Sequence, residues 1–563
     1  MRTAPPLSAP TEPPLLTQVE LKTTAAGERY LIIREAQLAM SAPQRRLIPR
    51  AAAWRAAAAL PVVMDAAARG LTMNGAARQW LELRTRAPLT DPQRLPQLTS
   101  RKGDVLMPFQ RQGVAWLFAR GGRGILGDEM GLGKTIQALA YLQLLHGTNA
   151  AAFPALVICP AFLKLNWRDE TLCWSTLRPY ILQGKHPSPP PPRANILIIN
   201  YEILHHWLPL LQPLGLSTII VDECHRIKNP SIISTRAVLS LTAAAARVIP
   251  MSGTPITSRP SEMWTAIHAV DRTFFPSFWN YAKEFCSLRR THYGYQYKGA
   301  VRTARLHDLT AGTVILRRLK ADVLKELPAK RYAVVHVPLT NTAEYRAAEL
   351  LLDEYAGTDG RTGLPGLAAV AALQTIINAG KIDAAGDWIE TQLETGPLVV
   401  FAIRHAVIDA LRARFGKRAV VVDGRVTTPE RHRRVASFQS GHASLFIGQL
   451  RAAGTGLTLT AASNVAFLEQ GWTPGEMTQA ADRCHRKGQR DAVTVYYLVA
   501  EETIEPMIAN MLVKKQQVLD AVLDGKRRGA GADTSPNSML AAVLAVAGKR
   551  HRAAAVSTSA ERK

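Results

Sequence analysis

The chain is short of acid. Its 563 residues hold 44 Asp and Glu against 69 Lys and Arg, a formal net charge of +25 with a pI of about 10.1. Sulfur is scarce as well. Cys159, Cys173, Cys224, Cys286 and Cys484 are scattered with no Cys-x-x-Cys pair. That pattern offers neither a disulfide framework nor a zinc site, and it suits a reducing compartment. Long apolar runs are missing too. None approaches the roughly 18 residues a membrane-spanning helix needs. The opening MRTAPPLSAPTEPPLL has no long apolar core after its single Arg, so it does not read as a secretory signal. A basic excess without a membrane span points to a polyanionic partner, nucleic acid ahead of a membrane surface. An Arg- and Ala-rich compositional bias is the competing explanation.

What is present begins with enough material for several cores. The hydrophobic fraction is 47%, and the length fits about three or four domains. Residues 1–100 form an N-terminal accessory region rich in Ala, Arg and Pro, with its first 16 residues expected to be disordered. A short strand is expected at 30–35, and helices at 50–70 and 74–86. From about 104 the pattern becomes α/β. Short apolar runs at 155–160, 194–200, 217–223 and 246–253 show little alternation, as parallel strands buried on both faces do. Residues 271–335 mix aromatic and basic residues and read as an insertion from a first lobe spanning 101–335. Residues 336–380 read as helical, with a hinge near the Gly-rich DGRTGLPG. A second α/β set at 397–402, 418–424, 443–448, 464–470 and 492–500 makes a second lobe over 381–525. Residues 526–563 carry 8 Lys/Arg and 2 acids and read as a mobile basic tail.

One stretch organises the rest. GDEMGLGKT, residues 127–135, follows the apolar Ile125 and Leu126 and opens the helix-like run IQALAYLQLL. Strand, glycine loop and helix start make a phosphate cradle of backbone N–H groups facing an anion. Asp128, Glu129, Met130, Gly131, Leu132 and Gly133 form the loop. Gly131 and Gly133 allow close backbone approach. Lys134 would reach the β- and γ-phosphates, and the Thr135 hydroxyl would ligate Mg²⁺. The usual pattern wants Gly where Asp128 stands, and an ordinary Gly-rich turn is the competing reading. VDECH, 221–225, ends another buried run. Asp222 is expected to ligate Mg²⁺ and Glu223 to activate the attacking water. Gln110, in PFQRQG, has an amide suited to the adenine edge, and MSGTPI, 251–256, offers small hydroxyl residues to sense the nucleotide. In QAADRCHRKGQR, 479–490, helical spacing puts Gln479, Arg483 and Arg486 near one face. Two guanidiniums there would reach the γ-phosphate across a cleft, unless the segment is merely a solvated basic helix.

Taken together, PFQRQG, GDEMGLGKT, CPAFLKLNWRDE, INYE, VDECHRIKN, MSGTPI, ILRRLKADVLKELPAK, VVFAIRH, GTGLTLTAAS and DRCHRKGQ resemble the Swi/Snf-type ATPases, a branch of the superfamily two helicases. Over about 104–515 the likeness is nearest to the compact annealing-helicase (HARP-type) branch. An Asp at 128 is usual there; Lys487, where the family has an apolar residue, is a departure. The resemblance implies an α/β fold of two tandem RecA-like parallel-sheet lobes with helical insertions. It implies ATP and Mg²⁺, with Gly454 and Gly456 added to the nucleotide site. It implies duplex or forked DNA gripped largely without regard to sequence, with Lys164, Arg226, Lys228 and Arg404 near it. The expected protein is a monomeric DNA-dependent ATPase that translocates on DNA, in a bacterial or phage-infected cytoplasm or in a nucleus. Residues 1–100 would meet a replication, repair or transcription partner. Two alternatives stand beside this: a remodeller of stalled RNA polymerase, and a non-enzymatic DNA-binding scaffold.

Overall fold

The computed structural model describes residues 92–525 apart from 147, 148, 150, 151, 258, 292, 293, 360–363, 455 and 472; before them it describes 19–23, 29–33, 46–48, 53–57, 73 and 77. The chain divides into two compact units, one of residues 1–89 with 271–280 and one of 90–270 with 281–563. In the first unit β1 (Val19–Thr23), β2 (Arg29–Ile33), β3 (Arg46–Ile48) and β4 (Ala53–Ala57) form an antiparallel sheet in the order β1-β2-β4-β3. The strand expected near 30–35 is there. Of the helix expected over 50–70, the described part is a strand instead: Ala53–Ala57 is hydrogen-bonded to β2 and β3 on either side, and the remainder lies outside the described residues. Sheet pairing has overridden alanine's helical preference. The helix expected at 74–86 and the tail at 526–563 lie outside the described residues, save for a helical Ala77.

The second unit holds two parallel sheets. The first runs β13-β5-β10-β9-β6-β8-β7. Its strands are β5 (Ile125–Leu126), β6 (Ala155–Cys159), β7 (Pro179–Ile181), β8 (Ile196–Asn200), β9 (Thr218–Asp222), β10 (Arg247–Met251) and β13 (Ile315–Leu316). Between β10 and β13 lies the hairpin β11 (Ser287–Thr291) and β12 (Gly294–Lys298). The second sheet runs β14-β19-β18-β15-β17-β16. Its strands are β14 (Lys330–Val337), β15 (Leu398–Ala402), β16 (Ala419–Val422), β17 (Leu445–Gln449), β18 (Asn464–Phe467) and β19 (Val493–Ala500). Every residue of β6, β8, β9 and β15 is buried. That is why their sequences read as unbroken apolar runs, and helices cover both faces of each sheet. Two parallel-sheet lobes, as expected, are therefore present.

The segment 271–335 is not a single insertion. Its β13 is the edge strand of the first sheet, paired with β5, and its β14 is the edge strand of the second, paired with β19. The chain crosses between lobes within 317–329, ahead of the hinge expected near 340–380. That later region forms helices Thr342–Asp359 and Leu364–Thr395. The last described helix, Glu505–Leu523, returns to the first lobe, where His307 Nδ1 lies 3.1 Å from the Val522 carbonyl and Arg317 pairs with Asp524. Among the described residues no helix is long and apolar enough to cross a membrane.

Candidate active site

Strand order builds the site. β10 separates β5 from β9, and Met251 is level with both Leu126 and Asp222. The loop after β5 and the acids ending β9 therefore open at the same carboxyl edge, two strand spacings apart, about 10 Å. That gap suits a phosphate group and a metal ion. The loop passes through two left-handed glycines, Gly131 at φ +85° and Gly133 at φ +72°. It delivers the chain into the helix Lys134–His146, whose first N–H groups have no partner within the helix.

The loop's side chains divide by role. Lys134 turns its amine onto its own loop, donating to the Asp128 carbonyl at 2.8 Å and the Glu129 carbonyl at 3.3 Å. Burial lowers its pKa, against the pull of the Glu223, Asp128 and Asp222 carboxylates. Thr135 follows it at the start of the helix. Gln110 accepts from the Met107 N–H and donates to the Leu132 carbonyl, so its amide braces the loop. Met130 packs on Gly253, where an added Cβ would fall 2.3 Å from its Cγ. Asp128 does not face the cradle. Its carboxylate is fully buried, receiving Arg318 Nε at 2.9 Å and Gln137 Nε2 at 2.9 Å. Glu129 accepts from the Lys320 N–H at 2.7 Å.

At the end of β9 the two acids differ. Asp222 accepts from Trp167 Nε1 and from the Glu223 N–H, both at 2.9 Å. Burial, then the neighbouring Glu223 carboxylate, push its pKa up to about 6. Glu223 occupies the left-handed region at φ 51°, costly for a residue with a Cβ. The turn aims its carboxylate at Ser252 Oγ (3.2 Å) and His225 Nδ1 (3.3 Å). Burial opposes its charge, but His225, Lys134 and Arg483 outweigh that and hold its pKa near 2. From the second lobe Gln479 Nε2 donates to Glu223 Oε1 at 2.8 Å.

The helix expected to carry both arginines ends at Ala481, so only Gln479 lies on it, and Arg483 and Arg486 sit in the turns that follow. Arg483 Nε donates to the Gly454 carbonyl at 2.9 Å; burial, then Arg486, bring its pKa down to about 9. Arg486 donates to the Leu457 carbonyl and Thr458 Oγ1, each at 3.1 Å. A Cβ on Gly131 would lie 3.9 Å from Arg486 Nε, so this arginine comes up against the phosphate loop. A Cβ on Gly456 would lie 2.9 Å from Leu163 Cδ2, a second contact between the lobes. Behind the cleft lies a cavity of about 1070 Å³ walled by Glu129, Thr254, Lys320, Asp482 and His485.

The residues expected near DNA also gather at strand ends. Lys164 donates to Asn200 Oδ1 at 2.9 Å, Arg226 pairs with Glu202 and lies over the Tyr201 ring, and Lys228 donates to Thr257 Oγ1. Arg404, after β15, pairs with Glu469 at 2.6 Å.

Residues 109–347 match the SNF2-related domain, and 380–488 match the helicase conserved C-terminal domain. Between them the two matches take in most of both parallel-sheet lobes. Similar proteins include the SWI/SNF-related matrix-associated actin-dependent regulator of chromatin subfamily A-like protein 1 of Xenopus tropicalis, 33% identical over 76% of this chain and 46% of that one. The Caenorhabditis elegans homologue is 34% identical over 74% of this chain and 62% of its own. The DNA annealing helicase and endonuclease ZRANB3 of Homo sapiens is 30% identical over 77% and 42%. The chain thus spans about half the length of most of these relatives. The solved Sulfolobus solfataricus SWI2/SNF2 ATPase core in complex with dsDNA matches at 24% identity and a TM-score of 0.39, covering 77% of this chain and 96% of that one.

Arg317, Arg318, Lys320 and Asp482 also line this site, although the sequence motifs gave them no role. Arg317 Nη1 donates to the carbonyls of Gly127 and Gly253, joining the loop to the turn after β10. The signal was the density of cations in ILRRLKADVLKELPAK, but their partners lie far off in sequence.

Proposed function

We propose that this chain is a DNA-dependent ATPase motor that tracks duplex or forked DNA as a monomer, in the nucleoid or the nucleus. The observation that carries the reading is the hydrogen bond from Gln479 to Glu223, which brings the second lobe onto the acid expected to activate water. ATP would lie with its phosphates on the loop and its adenine near Gln110. Lys134 would leave the Asp128 and Glu129 carbonyls for the phosphates. Glu223 would take the proton of the attacking water, held in line by Ser252 and Gln479. Arg483 and Arg486 would stabilise the charge that grows on the transferred phosphoryl group, a role worth about 10³–10⁵ in rate where it has been measured. Thr135 and Asp222 supply a hydroxyl and a carboxylate, hard oxygen donors of the kind Mg²⁺ takes. When bound, Mg²⁺ would neutralise phosphate charge.

Lobe opening and closing would then move Lys164, Arg226, Lys228 and Arg404 along a phosphate backbone. The test is ATP hydrolysis measured with no DNA, single strands, duplex and forked DNA. Stimulation by duplex or forks supports the motor; no turnover above background with any of them sinks it. We further infer translocation without strand separation, with re-annealing of an opened fork. Displacement of a triplex-forming strand without unwinding of a partial duplex is the expected pair of results, and the reverse pair would reassign the chain to conventional unwinding.

A further inference from the structure

The lobe interface holds a buried cluster of charge that neither phosphate chemistry nor DNA binding requires. Asp482, in the turn before Arg483 and Arg486, is fully buried. One oxygen, Oδ1, takes two ammonium groups, Lys320 Nζ at 2.9 Å and Lys330 Nζ at 2.7 Å. Its other oxygen, Oδ2, is buried without a hydrogen-bond partner. Stability alone would favour sharing two cations between two oxygens, because a bare buried acceptor carries a desolvation cost.

The two lysines are not equivalent. Lys330 opens β14 and pairs in register with Val493 of β19, so its bond to Asp482 stays inside the second lobe. Lys320 begins the connector after the first sheet. Its N–H donates to Glu129 Oε2 at 2.7 Å, and its Nζ also donates to the His485 carbonyl at 2.8 Å. A Cβ on Gly131 would lie 3.5 Å from Lys320 Cε and 3.9 Å from Arg486 Cβ. Lys320 therefore touches the phosphate loop with one end and the arginine turn with the other. His485 adds a parallel tie, with Nε2 2.7 Å from the Pro328 carbonyl of the same connector.

We propose that Asp482 is a positioning residue which, through Lys320, locks the arginine turn of the second lobe to the phosphate loop of the first. Arg486 then arrives at the loop in one orientation each time the lobes close. The idea rests on the ATPase reading above. It separates the two lysines: Lys320 transmits position, and Lys330 only helps neutralise the acid.

The test compares Lys320→Met, Lys330→Met and Asp482→Asn in the full chain with saturating duplex DNA. Lys320→Met and Asp482→Asn should lower kcat by about tenfold or more while KM for ATP moves by less than about threefold, as expected when a transition-state contact is misplaced. Lys330→Met should lower the melting temperature yet keep kcat within about twofold. Equal losses of kcat for the two lysine variants, or none for Lys320→Met, would overturn the proposal. Should Asp482→Asn fail to fold, the pair of lysine variants decides. Hydrogen exchange of the loop 127–133 without nucleotide provides an arm independent of turnover. Faster exchange in Lys320→Met than in Lys330→Met supports the tie, and equal exchange removes it even if the wild type proves inactive. A wild type that exchanges as expected but never hydrolyses ATP would count against the ATPase reading alone.

Discussion

Glu223 and Asp222 are neighbours in sequence with opposite electrostatics, and the difference is testable. Glu223→Gln should still bind ATP and turn over at least about 100-fold more slowly, because the amide cannot take a proton. Near-normal turnover would exclude Glu223 as the base. Lys134→Ala should abolish hydrolysis and leave duplex binding intact, since the loop backbone is built by Gly131 and Gly133; loss of folding, read by circular dichroism, would contradict that. For Asp222 the pKa is raised to about 6 by burial and Glu223. A raised carboxyl pKa stabilises the fold at low pH and loses that contribution as pH climbs through about 6, while metal binding needs the ionised form. The rise in melting temperature caused by Mg²⁺ with ADP should therefore grow from pH 5 to pH 7.5. A rise independent of pH would remove Asp222 from the metal site. Asp128 shows where motif spacing fails. The glycine pattern placed it beside the nucleotide, yet it neutralises Arg318, 190 positions away. Asp128→Asn should destabilise the fold by about 3–5 kcal/mol, the usual range for breaking a buried pair, as read by urea denaturation.

Elements were legible where burial on two faces wrote an unbroken apolar run. Eight expected runs, from 155–160 to 464–470, each hold a strand, and β19 fills the ninth at 492–500. In the two parallel sheets the strands that escaped notice are edges. β7 and β13 are very short, and β14 is largely open, with Arg331, Tyr332, Val334 and His336 exposed and only Val337 buried. An edge strand need bury only part of itself, so its sequence carries no long apolar signature. Loop geometry was legible from glycine. Gly133→Ala would place a Cβ 2.4 Å from Gln110 Nε2 at a φ of +72°. It should cost about 1–2 kcal/mol from the backbone alone and weaken nucleotide binding, measured by fluorescent ADP titration. Unchanged affinity would mean that Gln110 and the loop adjust independently. The tie among Lys320, Lys330 and Asp482 had no such signal, because an ion pair between lobes follows no spacing rule.

At the scale of the molecule, the basic balance of +25 predicts duplex binding that is nearly blind to sequence and steep in salt. Log K should fall by about 0.9 per phosphate neutralised for each unit of log salt. Removing 526–563 should flatten that slope if the tail meets DNA, and an unchanged slope would assign it no such part. The pairing of β14 with β19 has a different consequence, one for the order in which the chain is made. Lys330–Val337 leaves the ribosome well before its hydrogen-bonding partner Val493–Ala500, which is the last of the described strands to be made. At about 5–20 residues per second, this strand waits on the order of ten to thirty seconds with both edges bare. The first lobe can finish its sheet once Ile315–Leu316 has emerged, while the second stays open until Ala500 arrives. Nascent chains stalled after β14 has emerged and before Val493 is made should therefore hold a protease-resistant first lobe beside a chaperone-bound β14.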